Sequence, residues 1–286
     1  MSREQLIDPE ELSARLGDAG VVIVDCRFDL ADPHAGRKSY AEGHIPAAVF
    51  MDLNQDLATP PHGNSGRHPL PDVARFEATA SRLGIGDTTA VIVYDGGSGA
   101  MAARAWWVFR WLGHENVKLL NGGMAAWKAA GFPVTDKTPQ PEPATFVARV
   151  RGEKVVSSEE LENAPDGIEA LNLFDARDAS RFDGLKEPID RIAGHVPGAR
   201  NLPFTENLDA DGNWKSVAEL RKVWTAKLGH DRDVDSIVMC GSGVTACHLA
   251  LSALEAGFKE PRLYVGSWSE WITDPGRPIG RKNAQK

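Results

Sequence analysis

Cys240 closes the short apolar run Ser236-Ile237-Val238-Met239 and opens the loop Cys240-Gly241-Ser242-Gly243-Val244-Thr245, and the stretch 246–258 that follows is amphipathic. A thiol at the carboxyl end of a buried strand, then a loop with two glycines, then a helix start form one physical arrangement. The glycines permit tight backbone turns. Successive N–H groups of such a loop converge on one point as an anion nest, and the helix dipole adds partial positive charge there. Together these favour a thiolate, the nucleophilic form of cysteine, at Cys240. The competing reading of any cysteine is a buried structural thiol. That reading applies to Cys26, which sits inside an Asp-x-Arg triplet, and to Cys247, which sits inside the predicted helix. A Cys240–Cys247 disulfide would need the two residues to approach across the loop.

Phosphatases of the Cys-x5-Arg type use nearly the same loop, but they need an Arg six residues after the nucleophile to clamp the phosphoryl oxygens. Ala246 holds that position, and the loop carries no Lys or Arg. Phosphate-ester cleavage is therefore not expected. Gly96-Gly97-Ser98-Gly99 lacks the Lys that a P-loop requires. No Cys-x-x-Cys or His-Glu-x-x-His is present, so no metal signature is visible, and no organic cofactor is expected.

The elements that must carry this loop are written twice in the chain. Asp8-Pro9-Glu10-Glu11-Leu12 and Ser157-Ser158-Glu159-Glu160-Leu161 both read as helix starts, the first with Asp8 as cap and the second as a Ser157/Glu160 capping box. A buried strand ending in Asp-x-Arg follows in each half, at 21–27 and 171–177. The stretch 43–53 then matches 194–204, 90–107 matches 236–253, and 121–127 matches 265–271. The offsets drift from 149 at Leu12/Leu161 through 151 at His44/His195 to 144 at Trp127/Trp271. Drifting offsets in a fixed order indicate duplicated domains with loop insertions and deletions. Pro139, Pro141 and Pro143 mark an extended linker. The expected boundaries are 1–138, a linker at 139–149, and 150–286. Short Val/Ile-rich runs alternate with helix-length amphipathic stretches in each half, which predicts an α/β fold of parallel sheets with helices on both faces. Trp106, Trp107, Trp111, Trp268 and Trp271 are expected in the core.

A chain of 286 residues has room for two such domains. Forty acidic residues against 32 basic ones give a net charge of −8, which argues against a nucleic-acid partner. No apolar run approaches the roughly 18 residues of a membrane span, and the polar N-terminal stretch has no signal-like apolar segment. Three cysteines are too few for a disulfide framework and fit a reducing cytosol.

The paired Asp-x-Arg, Gly-His-ϕ-Pro and strand-end loop segments resemble a two-domain rhodanese-type sulfurtransferase over essentially the whole chain. The loop reads Cys-Gly-Ser-Gly-Val-Thr-Ala, the form typical of 3-mercaptopyruvate sulfurtransferases, whereas thiosulfate sulfurtransferases of this architecture carry a basic Cys-Arg-Lys-Gly-Val-Thr loop. The resemblance implies two tandem rhodanese-like domains. Sulfane sulfur would pass from 3-mercaptopyruvate through a Cys240 persulfide to thioredoxin, another thiol or cyanide, with release of pyruvate. The alternatives are thiosulfate:cyanide transfer and a non-catalytic persulfide carrier.

Asp95 stands in the first half where Cys240 stands in the second, and an aspartate cannot carry a sulfane sulfur, so only the second domain is expected to be catalytic. Residues shared by both halves (Asp25/Asp175, Arg27/Arg177, His44/His195, Pro46/Pro197) are expected to serve the fold. The resemblance gives Arg181 the substrate carboxylate, and its repeat position is read as Ala31. Arg191 is the candidate for a second carboxylate-binding Arg in a stretch one residue shorter than the family's. Gly241, Gly243, Val244 and Thr245 would supply loop N–H groups to the donor. Ser242 matches a serine of a proposed Ser–His–Asp relay. His68 is the candidate His, or else a loop histidine that meets only water. The relay's Asp position falls on Asn54, with Asp52 and Asp56 close by. Arg67 adds a cation that would bring tolerance for thiosulfate.

Overall fold

The Val- and Ile-rich runs form two parallel sheets in the computed structural model, which describes residues 3–282. The first two and last four residues of the sequence reading lie outside that range. The chain divides into two compact units: one holds the residues up to Thr59, Leu70–Arg151 and Leu208–Val217, and the other holds Pro60–Pro69, Gly152–Asn207 and the residues from Ala218 onward.

The first unit runs β1 (Leu6–Ile7), α1 (Pro9–Ala14), β2 (Val21–Asp25), α2 (Ala35–Glu42), β3 (Val49–Phe50), α3 (Val73–Arg82), β4 (Ala90–Tyr94), α4 (Ala102–Trp111), β5 (Val117–Leu120) and α5 (Gly123–Ala129). Its sheet order is β1-β5-β4-β2-β3, with every pairing parallel. Residues β-branched at most positions of β2 and β4 suit strands covered on both faces. The core joins Ile7, Leu12, Ile23, Ile45, Tyr94, Leu120, Met124 and Trp127. Trp106 and Trp107 on α4 are fully buried and Trp111 nearly so. The proline-rich segment lies along this unit, where Ala144 N–H donates to the Ser81 carbonyl at 2.9 Å and Arg149 N–H to that of Leu112 at 2.8 Å. Trp214 holds the 208–217 stretch in the unit: it is buried, and its N–H donates to Asn121 Oδ1 at 2.9 Å.

The second unit runs β6 (Val155–Val156), α6 (Ser158–Glu162), β7 (Leu173–Asp175), α7 (Ala179–Phe182), β8 (Arg200–Asn201), α8 (Val217–Leu228), β9 (Ile237–Met239), α9 (Ala246–Glu255), β10 (Arg262–Tyr264) and α10 (Ser267–Trp271). The order β6-β10-β9-β7-β8, again all parallel, repeats the first sheet strand for strand. Each unit is thus a parallel sheet flanked by helices. Trp268 and Trp271 are core residues whose ring N–H groups donate to the Ile192 and Pro278 carbonyls at 2.8 and 2.9 Å. Among the described residues no helix is long and apolar enough to cross a membrane.

The shared residues hold the two units in the same way. Arg27 Nη2 donates to Asp25 at 2.6 Å and to the Gly43 carbonyl at 2.8 Å, while Arg177 Nη2 donates to Asp175 at 2.7 Å and to the Gly194 carbonyl at 2.8 Å. Each pair ties the strand end to the glycine just before the His of the Gly-His segment. His44 stacks on Tyr40 and His195 on Phe182, both with ring centroids 4.0 Å apart. This geometry matches Phe182 to Tyr40, so the position equivalent to Arg181 is Ser39 rather than Ala31. Insertions between the strand and the helix shift the register there. Only half of the expected capping box forms. Ser157 Oγ accepts from Glu160 N–H at 3.1 Å, but the Glu160 carboxylate is drawn to Arg262 at 2.5 Å, where a guanidinium offers a stronger partner than a backbone amide. Asp8 makes no side-chain cap and instead accepts from Asn121 at 2.9 Å.

Candidate active site

The site is built at the carboxyl end of β9, the central strand of the second sheet, where open parallel sheets bind ligands. Cys240 follows β9 directly and is only 2% exposed. Its N–H donates to Ser267 Oγ at 3.0 Å, and Ser267 in turn donates to the Tyr264 carbonyl at 2.9 Å. The Cys240 and Gly241 carbonyls accept from Trp268 and Ser269 N–H at 3.0 and 2.9 Å. The first two residues of the loop are therefore pinned by the start of α10. Gly243 turns the chain with φ of +73°, and a Cβ there would lie 2.4 Å from the Val265 carbonyl oxygen, so glycine is required. Thr245 then leads into α9 in helical conformation. Val244 is buried beside it.

Ser242 and His68 are brought together: His68 Nδ1 lies 2.8 Å from Ser242 Oγ, and both side chains are buried. His68 reaches the loop because Pro60–Pro69 belongs to the second unit. That stretch is anchored by Arg67 N–H donating to Ser269 Oγ at 3.0 Å. Asp52 is spent locally, accepting from Asn54 and Gln55 N–H at 2.9 and 3.1 Å, and Asp56 accepts from Asp52 N–H at 2.8 Å.

Two guanidiniums stand over Gly241. A Cβ on that glycine would lie 3.0 Å from Arg67 Nη2, 3.5 Å from Arg181 Nη2 and 3.7 Å from Asp190 Oδ2. Arg181 is held by Glu187 at 2.8 Å and by Asp190 at 3.1 Å, and Arg67 pairs with the other oxygen of Asp190. Arg191 is not among them, because its guanidinium donates to the Ile272 carbonyl. Burial works against the carboxylate of Glu187, but hydrogen bonds from Arg181 and from the Asp190 and Ile189 amides hold its pKa below the ordinary value. Burial pushes the Asp190 carboxyl up, with Glu187 adding to the rise and Arg67 and Arg181 opposing it. Burial also opposes the charge on Arg177, yet Asp175, Glu187 and Cys240 together hold its pKa above the ordinary value.

All three cysteines are reduced and buried. Cys247 Sγ donates to the Gly243 carbonyl at 3.3 Å. Among the described residues no group of three or more His, Cys, Asp or Glu side chains could hold a metal ion.

The rhodanese-like domain family matches residues 8–130 and 157–274. The chain belongs to that family. It is 46% identical, over 98% of its own length and 99% of the relative's, to a probable 3-mercaptopyruvate sulfurtransferase of Pseudomonas aeruginosa. It is 38% identical to a putative thiosulfate sulfurtransferase of Mycobacterium tuberculosis, over 98% of both chains. The 3-mercaptopyruvate sulfurtransferase structure of Leishmania major matches with a TM-score of 0.83 and 33% identity, over 94% of this chain and 74% of that one. The activity of this rhodanese-like chain is sulfane-sulfur transfer through a cysteine, between a sulfur donor and a thiol acceptor.

Sequence reasoning missed three residues of this rhodanese-like site. Ser267 has a positive φ of 53°, where the first half has Gly123 at 52°. The repeat alignment held that signal, since a serine replacing a required glycine suggests that its hydroxyl is used. Glu187 and Asp190 gave no signal beyond lying near Arg191.

Proposed function

We propose that the chain is a 3-mercaptopyruvate sulfurtransferase in which Cys240 carries the sulfur. The observation that carries this reading is the Arg181 guanidinium beside Gly241 of a loop that has no charge of its own. A cation at the loop's rim suits a carboxylate remote from the reacting sulfur, and Arg181 aligns the donor through it. The Cys240 thiolate attacks the donor sulfur, an S–S bond forms, and the C–S electron pair moves to carbon as pyruvate enolate. The proton that was on the donor sulfur ends on that carbon, relayed by Ser242 and His68. The persulfide left on Cys240 is stabilised by the loop N–H groups of Gly241, Gly243, Val244 and Thr245. A thiol such as thioredoxin, or cyanide, then takes the outer sulfur and restores the Cys240 thiolate. In this reading Arg191 braces α10 through Ile272 and does not touch the donor. A cytoplasmic location fits, because a reducing compartment keeps Cys240 as a thiol.

A second reading, with thiosulfate as donor, is favoured by Arg67, the second guanidinium at Gly241. Measuring kcat/KM for both donors on one preparation separates the two. Stoichiometric pyruvate with a higher kcat/KM for mercaptopyruvate is expected, and more efficient turnover of thiosulfate would replace the first reading by the second. Binding of sulfur without turnover would make the chain a persulfide carrier.

A further inference from the structure

Three guanidiniums and three carboxylates crowd one side of the Cys240 loop. Arg177 pairs with Asp175, Arg181 with Glu187, and Arg67 with Asp190. Asp190 is shared, since its second oxygen lies 3.1 Å from Arg181 Nη2. Its side chain is only 5% exposed, so this pairing is little weakened by solvent. The cluster sums to zero charge, and any anion that approaches Cys240 past Gly241 meets Asp190 together with the two guanidiniums it bridges.

We propose that Asp190 is a donor-selecting counter-ion, which neutralises an Arg67–Arg181 clamp so that a monoanionic donor is admitted and a dianionic one is disfavoured, with Arg67 as the second carboxylate-binding arginine. This rests on the reading of Cys240 as the sulfur carrier. Arg67 has the required position, because its Nη2 is the nearest of the three groups to the space above Gly241. Arg191 has not, because its guanidinium is engaged with Ile272. At about 5 Å and an effective dielectric of about 20, one unit charge changes affinity by roughly two orders of magnitude before solvent screening. A mercaptopyruvate carboxylate brings one negative charge and thiosulfate brings two, so the Asp190 charge acts about twice as strongly on thiosulfate. The raised pKa of Asp190 fits a carboxylate that yields its place to an incoming one.

The test uses Asp190→Asn and Arg67→Gln in the full chain. For Asp190→Asn, kcat/KM for thiosulfate should rise about tenfold and that for mercaptopyruvate less than threefold. A second readout needs no donor: the rates at which iodoacetate and iodoacetamide alkylate Cys240, two reagents that differ chiefly in charge. The iodoacetate-to-iodoacetamide ratio should rise about tenfold in Asp190→Asn and fall several-fold in Arg67→Gln, and taking the ratio cancels any change in the reactivity of the Cys240 thiolate itself. Arg67→Gln should raise KM for mercaptopyruvate more than Arg191→Gln does. An unchanged donor ratio and alkylation ratio in Asp190→Asn would overturn the selecting role, and a larger KM effect in Arg191→Gln would overturn the role of Arg67. Failure of the donor reading shows separately, as wild-type protein that releases no pyruvate.

Discussion

The loops after β4 and after β9 leave equivalent strands with opposite occupants, and the first is one residue longer, so its left-handed glycine, Gly99, lies one step farther from Asp95 than Gly243 does from Cys240. Asp95 Oδ1 accepts from Gly97 and Gly99 N–H at 2.9 and 3.0 Å, and Oδ2 from Met101 and Ala102 at 2.9 and 3.3 Å. The first loop therefore binds an anion that the chain itself supplies. In the second loop the place of Asp95 after the strand is taken by Cys240. The α5 and α10 starts hold the two loops alike: Met124 N–H donates to the Asp95 carbonyl at 2.9 Å, as Trp268 does to that of Cys240 at 3.0 Å. The difference teaches that the same strand end can carry either a carboxylate that ties its own loop down through four N–H groups or a thiol that leaves the loop untied.

The contrast breaks most plainly at its two central residues. Cys240→Ser should abolish pyruvate release, by at least a thousandfold, with the circular dichroism spectrum unchanged. Retained release by a clean preparation would remove Cys240 from the mechanism. Ser242→Ala and His68→Ala should each lower kcat for mercaptopyruvate about a hundredfold, the lower end of the range for a lost proton relay. The same variants should slow thiosulfate turnover less, because sulfite leaves without a proton. Equal losses on both donors would make Ser242 and His68 supports of the loop.

Arg181→Ala should lower kcat/KM for mercaptopyruvate by one to two orders of magnitude, since a charge-assisted hydrogen bond contributes roughly 1.5–3 kcal/mol. Arg181→Lys should recover only part, for want of the planar fork. An equal drop in the iodoacetamide rate would show that Arg181 serves the loop rather than the donor. Asp95→Ala should do the reverse of Cys240→Ser: a loss of about 3 kcal/mol in urea unfolding from four stranded N–H groups, with kcat of the folded protein unchanged. The smallest effect is expected at Cys26. Its burial, with Asp25, Asp95 and Asp56 nearby, pushes the thiol well above the ordinary value. Cys26→Ser should keep activity within twofold, and iodoacetamide at neutral pH should label Cys240 first by mass spectrometry of digests.

Much of this was legible in the chain. A strand of Ile237-Val238-Met239 ending in cysteine, and its repeat ending in Asp95, are local patterns, and local patterns survive folding. The pairing of Arg67 with Asp190 spans 123 positions and leaves no periodic trace. Nor does a shortened loop disclose which neighbour turns inward, and so Asp190 meets the arginines while Arg191 turns to Ile272. The mismatch of Arg181 with Ala31 has the same origin, because a constant offset fails where the two halves carry their extra residues on opposite sides of the helix between β-strand and His.

The membership of the two units bears on how the protein is made. The first unit's contiguous part ends at Arg151, but its Trp214 segment ends only at Val217. At a synthesis rate of about 5–20 residues per second, the intervening 66 residues (217 − 151) take roughly 3–13 s. For that interval on the ribosome the first unit waits with an open gap where Trp214 will sit, while Arg67 and His68 have emerged long before the loop they serve. Residues 150–286 translated on their own would lack both of them, and residues 1–138 on their own would lack Trp214.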